Sequence, residues 1–391
     1  MILSESRSKR LLSEYQVGIP AGATAASEAE AIERARDLGC SRFVVKAQIS
    51  AGGRGLAGGV SFSDSPEAAG KAAAQILGRR LVTEQTGPAG EVVRRVYVEE
   101  AVNIRDSLYL GIVIDQQTAL PTLLGSAEGG VAFEQEAAVR PEILDRLALA
   151  PDCAYDDDAI TGFLERIGLD GEPLTNARQL VIGCIQAFRK NDISLLEVNP
   201  LAVTDDGQTL AVDAKIVLDG NALFRHPEFE ALSDDLWVDT AERTARDNEI
   251  NLVRLKGNIG VITNGAGLGL ATNDMIFDAG GLPANFMDIR TTATSFGIAR
   301  GVDLLLAEPD ITVLLLNVHG GGMTVCDTVV EGLAFAYSRS KRRLPIVARL
   351  AGQNAPWART ILKDRRLPHE HFDTMSAAVS RAVSIASGRY R

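Results

Sequence analysis

The second half of the chain alternates short apolar runs with helical segments in a regular order. The runs expected to form strands lie near residues 258–263, 284–289, 311–317, 345–350 and 370–375. The stretch Val313 to Leu316 is apolar at every position, as is typical of a parallel strand covered on both faces. Strands that alternate with helices form a doubly wound parallel sheet, whose ligands bind beyond the carboxyl ends of the strands. The spacing therefore predicts a flavodoxin-like α/β domain over residues 250–391.

The first half of the chain has a different pattern. Runs typical of strands at residues 93–101, 108–115 and 120–125 follow one another with little helix between them. This order favours an antiparallel sheet decorated by helices, and so an α+β domain over residues 1–235. Residues 219–250 have no strong period and are predicted to connect the two domains.

The composition argues against several classes of protein. A formal net charge of −11, with no block of Lys or Arg, argues against binding to nucleic acid or to an anionic membrane. The longest apolar runs fall far below the roughly 20 residues of a membrane span, and the N-terminus has no apolar signal core. The four cysteines have neither C-x-x-C spacing nor a cluster of histidines beside them, so zinc and disulfides are not expected. A cytoplasmic protein in a reducing compartment is predicted.

Lys46 stands at the end of a predicted strand and is followed by the glycine-rich stretch 51–59. Such a loop has few side chains to obstruct a ligand, so its backbone N–H groups can close over phosphates while Lys46 and Arg54 supply positive charge. The loop is not a Walker A motif, because the lysine precedes the glycines. The alternative is an ordinary surface hairpin with one incidental arginine.

A turn signal, Asp-Asp-Gly, lies between two strand-like runs that contain Asn199 and Asp213. A turn centred on Asp206 places Asn199 opposite Asp213, and the strand period of two adds Glu197 and Lys215 to the same face. A small number of carboxylate and amide oxygens is what a Mg²⁺ that travels with a nucleotide requires. The alternative is a solvated face with a Glu197–Lys215 pair. The proline after Asn199 unsettles the register, because proline cannot donate to a ladder.

Asn264 follows the first predicted strand of the second half and begins a glycine-rich turn into a helix. Glycines in such a turn let a phosphate or carboxylate approach the free N–H groups of the helix. A dinucleotide-dependent oxidoreductase is a rival interpretation, because Gly265, Gly267 and Asp288 partly match the dinucleotide pattern. The match is flawed, since the third glycine stands at Gly269 instead of one residue later.

The segment His319-Gly320-Gly321-Gly322 lies between the buried strand and a helix with an apolar stripe. Three glycines at the mouth of a helix are expected to expose unpaired N–H groups at the positive end of its dipole. An anion site is predicted, and the alternative is a glycine-rich turn with no ligand. His319 has no Asp or Glu within a few residues to orient it, so it is expected to be structural or solvated and not catalytic.

Together, these motifs resemble the beta subunit of succinyl-CoA synthetase and of its relative malate–CoA ligase, and the likeness covers nearly the whole chain. It rests on the runs Val44-Val45-Lys46-Ala47-Gln48, Ala51-Gly52-Gly53-Arg54-Gly55, Gly78-Arg79-Arg80-Leu81-Val82-Thr83, Leu108-Tyr109-Leu110-Gly111, Glu197-Val198-Asn199-Pro200-Leu201, Gly220-Asn221-Ala222-Leu223-Phe224-Arg225 and Asn264-Gly265-Ala266-Gly267-Leu268. The resemblance implies an ATP-grasp domain followed by a flavodoxin-like domain.

The resemblance also implies the beta subunit of an ADP-forming carboxylic acid–CoA ligase, most similar to succinate–CoA ligase. In that family ATP phosphorylates a histidine, the phosphoryl group passes to the acid, and CoA displaces it. The histidine and most of the CoA site belong to an alpha subunit, and none of His226, His319, His369 and His371 resembles that histidine. A partner chain is therefore expected, together with Mg²⁺, ATP, CoA and a small-molecule acid.

The family's site residues carry over to individual positions of this chain. The nucleotide site implied by the resemblance consists of Lys46, Gly53, Arg54, Gly55, Glu99, Val102 and Ser107. Asn199 and Asp213 are implied as Mg²⁺ ligands, and Glu197 as the contact of the phosphohistidine. The acid is implied to face Asn264, Gly321, Gly322 and Met323.

Three stretches depart from the family pattern. The usual Asp-Val-Gly-Gly-Gly-Ala is Asp-Ile-Arg-Thr-Thr-Ala at residues 288–293, and His319 replaces the phenylalanine of Asn-Ile-Phe-Gly-Gly-Ile. Arg290 and His319 beside an anion site are expected to accommodate a more polar acid, such as malate, another dicarboxylate or a sulfonated acid. Alternatively, the loop has drifted and the chain is a non-catalytic ATP-binding paralogue. Ser107 replaces an acid near the base and ribose, which leaves ATP against GTP open.

Overall fold

The computed structural model describes residues 1–83, 85–86, 90–230, 240–322 and 324–388. The chain divides into two compact units, residues 1–237 and 238–391. Each unit has its own hydrophobic core.

The first unit contains two main antiparallel sheets with helices packed on them. Its strands are β1 (Gly22–Ala25), β2 (Phe43–Gln48), β3 (Val60–Ser63), β4 (Arg80–Leu81), β5 (Glu91–Val92), β6 (Arg95–Glu100), β7 (Ile104–Ile114), β8 (Pro121–Ser126), β9 (Asp145–Ala148), β10 (Ile193–Thr204), β11 (Thr209–Ala211) and β12 (Ala214–Leu218). Its helices are α1 (Glu5–Ser13), α2 (Glu28–Leu38), α3 (Pro66–Ile76), α4 (Val131–Val139), α5 (Asp157–Arg166), α6 (Gly171–Lys190) and α7 (Pro227–Glu230), with 3-10 turns at Pro141–Ile143 and Leu223–Arg225.

The smaller main sheet has the order β1-β6-β2-β3, and its two faces differ in chemistry. Val45, Ala47, Val96 and Val98 point to one face and pack in a core with α2 and α3. The helix α2 begins after Ser27, whose hydroxyl accepts from Glu30 N–H at 3.2 Å. The residues between those apolar ones, such as Lys46, point to the opposite face, which meets α1.

The larger sheet has the order β11-β10-β7-β8-β9, with β12 also paired to β10, and it packs on α5 and α6. The sequence predicted that residues 93–101 would belong to the same sheet as the two runs that follow them, and this was wrong. In the structure β6 lies in the smaller sheet, whereas β7 and β8 lie in the larger one. Residues 101–103 are not strand and carry the chain from one sheet to the other, which the apolar pattern alone does not reveal.

The second unit is a doubly wound sheet with helices on both faces. Its strands are β13 (Ile250–Arg254), β14 (Ile259–Thr263), β15 (Asn285–Ile289), β16 (Val313–Gly320), β17 (Ile346–Gly352) and β18 (His369–His371). Its helices are α8 (Thr240–Arg246), α9 (Ala266–Asp278), α10 (Ser295–Ala307), α11 (Cys326–Arg339), α12 (Ala355–Asp364) and α13 (Met375–Ala386). The parallel strands run in the order β15-β14-β16-β17-β18, which is the flavodoxin-like order, and this confirms the predicted fold class.

Two details of the second unit differ from the prediction. The strand β13 was missed; it pairs antiparallel with β15 at the edge of the sheet, where only alternate residues such as Ile250 and Leu252 are buried. The last strand was expected at residues 370–375 but ends at His371, because the Thr374 hydroxyl accepts from Ala377 N–H at 3.3 Å and begins α13.

Length and apolar character together decide whether a helix can cross a bilayer. Across the ranges that the structure describes, every helix falls short of that combination.

Candidate functional site

The predicted hairpin around Asp206 forms with the predicted register. Glu197 pairs with Lys215, and Leu201 pairs with Ala211. Between these pairs the Asn199 N–H donates to the carbonyl of Asp213 at 3.1 Å, so the two expected metal ligands are directly opposite one another.

The proline after Asn199 disturbs only the other side of the same strand. The register between β10 and β7 shifts between Val198 and Leu201, whereas the register across the hairpin is unbroken from Leu195 to Val203. The convergence of Glu197, Asn199 and Asp213 on one face is therefore confirmed.

The glycine-rich stretch joins β2 to β3 and turns its arginine inward. Gly53 has a φ of +74°, a conformation that favours glycine. Arg54 is 8% exposed, and its guanidinium donates to Asp213 Oδ2 at 2.5 Å and to the carbonyl of Ala47 at 3.0 Å. An incidental surface arginine would not be buried in this way, so the loop is built around Arg54.

A carboxylate from α1 lies at the centre of the site, and the sequence did not predict it. Glu5 Oε1 accepts from Lys46 Nζ at 2.9 Å, and Glu5 Oε2 accepts from Arg54 Nη1 at 2.6 Å. Lys9, one turn along the helix, lies 3.1 Å from Glu5 and also pairs with Glu99. These five charged side chains, which we call the buried charge network, are each less than a tenth exposed. Two charged residues four apart on α1 were the only sequence signal for it.

The charges in this network determine each other's protonation. Burial alone would raise the pKa of Glu5, but Arg54, Lys46 and Lys9 hold it well below its usual range. Burial raises the pKa of Glu99 above its usual value, even though Lys9 and Lys46 oppose this shift. Burial alone would lower the pKa of Lys46, but Glu5 and Glu99 raise it instead, so the lysine is charged at neutral pH.

A cavity of about 340 Å³, here the hairpin cavity, lies where the glycine-rich stretch faces the hairpin. Nine residues predicted from the resemblance line it: Lys46, Gly53, Arg54, Gly55, Glu99, Val102, Glu197, Asn199 and Asp213. Ser107 does not line it; the residue lies on β7 opposite Ala202. Val102 belongs to the three-residue link between β6 and β7. One cavity is thus lined by the residues predicted to bind phosphate, by those predicted to bind Mg²⁺ and by Val102.

In the second unit, Asn264 joins two loops at the carboxyl edge of the sheet. Its side-chain amide donates to the carbonyl of His319 at 2.8 Å, and its oxygen accepts from His319 N–H at 2.9 Å. The Asp288 carboxylate accepts from Gly265 N–H at 2.6 Å, so it closes the loop instead of standing free for a ribose. The arrangement does not favour the dinucleotide interpretation.

The three glycines after His319 are not at the mouth of a helix, contrary to the prediction. The helix α11 begins only at Cys326, and Gly320 is still part of β16. Gly321 N–H is bound by the carbonyl of Thr324 at 3.1 Å. Gly321 and Gly322 are exposed in the loop, whereas Met323 lies outside the described residues. The helix dipole therefore acts less directly on this loop than the sequence suggested.

In the part of the chain that the structure describes, the side-chain contacts of Arg290 lie with Asn251 and Glu249 and not with the loops of Asn264 and His319, so the expectation of a more polar acid stays a prediction. Its guanidinium donates to the Asn251 side-chain oxygen at 3.0 Å and lies 3.7 Å from Glu249. Thr292 also donates to Glu249, at 2.9 Å. The loop at residues 288–293 is therefore held by contacts with β13 and with Glu249, which directly precedes that strand.

Replacing Arg290 by alanine is therefore expected to leave KM for the acid that the resemblance implies within about threefold, because the guanidinium makes only exposed contacts worth ~1 kcal/mol or less. Asn264→Ala, which removes both bonds to His319, is the matched comparison and should raise that KM at least as much as a lost hydrogen bond implies, about fivefold. Steady-state kinetics with varied acid checks both variants. A large rise in KM with Arg290→Ala alone would contradict the expectation that Arg290 makes no contact with the acid.

Comparison with known proteins agrees with the geometry. A family model described as an ATP-grasp domain matches residues 2–203, and one described as CoA-ligase matches residues 262–383. The chain is 39% identical over 389 residues to the succinate–CoA ligase [ADP-forming] subunit beta of Burkholderia lata, with 100% of both chains covered. It is 40% identical over 389 residues to the protein of the same name from Ralstonia pickettii, again with 100% of both covered.

A solved structure shares the fold at low sequence identity. It is that of ATP citrate lyase from Methanothrix soehngenii in complex with citrate and coenzyme A, with a TM-score of 0.74 and 16% identity. The alignment covers 98% of this chain and 99% of that chain. At this identity the likeness concerns the fold alone.

Proposed function

The chain belongs to the family of ADP-forming succinate–CoA ligase beta subunits, and from this membership we propose how its residues serve the reaction. It binds MgATP in the hairpin cavity, phosphorylates a histidine of an alpha subunit, and presents the acid at the carboxyl edge of the second unit. The observation that carries the proposal is the meeting of Lys46 and Arg54 with the Asn199–Asp213 pair in one cavity.

The nucleotide phosphates are assigned to the loop at Gly53 and Gly55, beside Arg54. Arg54 is held on both sides by carboxylates, so its planar guanidinium is oriented before a ligand arrives. Lys46 donates to Glu5, to Glu99 and to the carbonyl of Val212, which uses all of its N–H groups. A direct contact of Lys46 with a phosphate therefore exchanges one of these acceptors. Val102 in the link is assigned to the base.

Asn199 and Asp213 fit a Mg²⁺ that arrives with the nucleotide. Both present hard oxygen donors into the hairpin cavity, and two protein ligands leave positions for water and phosphate oxygens. Within the described ranges no cluster of three or more His, Cys, Asp or Glu side chains could hold a metal ion unaided, which agrees with a metal that needs the nucleotide. When bound, Mg²⁺ neutralises phosphate charge as it develops.

Glu197 is assigned to the partner's histidine, because it lies on the same hairpin face as the metal ligands and its carboxylate can hold the imidazole. The acid is assigned to Asn264, Gly321, Gly322 and Met323. Succinate is the proposed acid, since the contacts of Arg290 give no reason for a larger charge on the substrate. A cytoplasmic location stays a prediction that cell fractionation checks.

The experiment is to produce the chain with its alpha-type partner and to measure ADP release. Continued ADP release over many turnovers that requires succinate, CoA and Mg²⁺ together is the expected result. Transfer of labelled phosphate from ATP to the partner, with one ADP formed per site but no acid-dependent turnover for any dicarboxylate, would remove the assigned acid but keep the nucleotide site. No transfer at all would favour the non-catalytic paralogue.

Glu197→Gln is expected to slow phosphorylation of the partner's histidine by about 100-fold, as loss of a group that aids proton transfer does. The Kd for MgATP should stay within about threefold, because a neutral side chain of the same shape keeps the cavity. Single-turnover labelling gives the rate, and calorimetry gives the Kd. Equal losses in rate and in MgATP affinity would instead place Glu197 in nucleotide binding.

A further inference from the structure

A second cavity, here the arginine cavity, lies beside α1 and has no lining residue in common with the hairpin cavity. It measures about 560 Å³, which is within the usual range for small-molecule sites. Its lining is drawn from α1, β1 and β6 and their neighbours, and it includes Arg7, Arg10, Gly22, Arg95 and Tyr97. It therefore lies against α1, on the polar face of the smaller sheet.

The charge of this lining is opposite to that of the whole chain. Three arginines and no Asp or Glu line it, whereas the chain carries a formal net charge of −11. Among the contacts of the described residues, neither the Arg10 nor the Arg95 guanidinium has an ion pair or hydrogen bond. Arg7 has a polar partner, so no binding role is assigned to it. Arginines that converge without a carboxylate favour an anion, because nothing in the wall neutralises them.

A buried tyrosine in the wall has an unused donor. Tyr97 is 4% exposed, and its hydroxyl makes no hydrogen bond with the residues that the structure describes. A side chain at Gly22 would bring a Cβ to 2.6 Å from that hydroxyl oxygen, so the glycine leaves the hydroxyl its space. Because Tyr97 lines the arginine cavity, its hydroxyl can donate to an acceptor bound there.

Strand geometry brings the two kinds of donor to one face. Arg95 and Tyr97 are two residues apart on β6, so both side chains point to the face that α1 covers. Arg10 lies on α1, across the cavity from that strand. Two cations and one hydroxyl donor thus surround a space that could hold one oxyanion group.

We propose that the arginine cavity binds a small molecule through a phosphate or carboxylate group, with Arg10 and Arg95 as the charged contacts and Tyr97 as a hydrogen-bond donor. The site is separate from the hairpin cavity and does not depend on the function proposed for it. Arg94 precedes Arg95 on the chain but does not line the cavity, which makes it a matched control.

The test is calorimetric titration of the full-length chain with two probes, inorganic phosphate and succinate, with the hairpin cavity saturated by MgADP. Only the binding that Arg95→Gln removes is assigned to the arginine cavity, because succinate can also bind at the acid site proposed for the second unit. Saturable binding of at least one probe is expected, and the stronger probe identifies phosphate or carboxylate as the preferred group. Arg95→Gln and Arg10→Gln should weaken it at least tenfold, and Tyr97→Phe about threefold to tenfold, as loss of one hydrogen bond implies. Arg94→Gln should leave it unchanged.

Melting temperatures show whether the variants are folded. Replacement of the exposed Arg10, Arg94 and Arg95 is expected to leave the melting temperature unchanged. Absence of binding by both probes would overturn the proposal. Binding that Arg95→Gln and Arg94→Gln affect equally would also overturn it. Because the readout is binding and not turnover, failure here leaves the ligase assignment intact, and failure of the ligase assay leaves this site intact.

Discussion

Glu5→Gln is expected to lower the free energy of unfolding by about 3 kcal/mol and to raise KM for ATP at least tenfold. The carboxylate holds Lys46 at 2.9 Å and Arg54 at 2.6 Å, and all three side chains are buried. Removing one partner from a buried ion network costs ~3–5 kcal/mol, because the remaining charges stay desolvated. The same change releases Lys46 and Arg54 from the positions in which Glu5 holds them, and binding of ATP is therefore expected to weaken.

The control is Glu14→Gln, because Glu14 is exposed at the end of the same helix and is not part of the buried charge network. Urea unfolding measures stability, and initial rates with varied ATP, acid and CoA measure each KM separately. A rise confined to the KM for ATP marks Glu5 as a positioning residue, and Glu5→Asp should show a smaller rise than Glu5→Gln. Lost stability with an unchanged KM for ATP would show that Glu5 only supports the fold.

The acid side of the stability curve offers a second readout of Glu5. Its pKa in the folded protein lies well below the ordinary value of 4.5, because Arg54, Lys46 and Lys9 outweigh burial. A carboxylate of this kind stabilises the folded protein above its unfolded-state pKa, and this contribution is lost as pH falls through the folded-state pKa. Glu5→Gln should therefore flatten the loss of stability below about pH 4.5. Glu14→Gln should leave this loss of stability unchanged.

The hairpin of the site could be predicted from the sequence, whereas the buried charge network could not. A two-residue period and one turn centre determine every pairing between Glu197 and Lys215, so a single local signal specified the register. Glu5 meets Lys46 and Arg54 across 41 and 49 residues of sequence. Such contacts depend on how α1 packs on the smaller sheet, and no local pattern carries that information.

The second unit shows the same division between local and long-range information. The parallel strands and their order followed from alternation, because a buried strand such as β16 is apolar throughout its first four residues. The direction of Arg290 did not follow, since it depends on Asn251 and Glu249 in and before an edge strand that the sequence did not reveal. The sequence places a positive charge near the predicted acid site, and the structure adds that this charge is paired with Asn251 and Glu249.

Asp213→Asn is expected to raise the Mg²⁺ concentration needed for half-maximal activity at least tenfold and to lower kcat/KM for ATP about 100-fold. The substitution keeps an oxygen that can contact a metal but removes its charge, and an electrostatic contact to developing phosphate charge contributes about 10²–10³-fold. Asp213 also accepts from Arg54 at 2.5 Å, so loss of this pair needs a separate measurement. Arg54→Gln supplies it, because this variant breaks the same pair and leaves both proposed metal ligands in place.

The two variants are told apart by a Mg²⁺ titration at fixed ATP. Asp213→Asn should shift the Mg²⁺ midpoint, whereas Arg54→Gln should lower affinity for the nucleotide and leave the midpoint where it was. Asp205→Asn, in the turn of the same hairpin, controls for general effects of charge removal. Equal midpoints for Asp213→Asn and the unchanged protein would mean that the carboxylate serves Arg54 alone. Asn199 would then have to hold the metal with ligands outside this hairpin, and the pairing of Asn199 with Asp213 would not define the metal site.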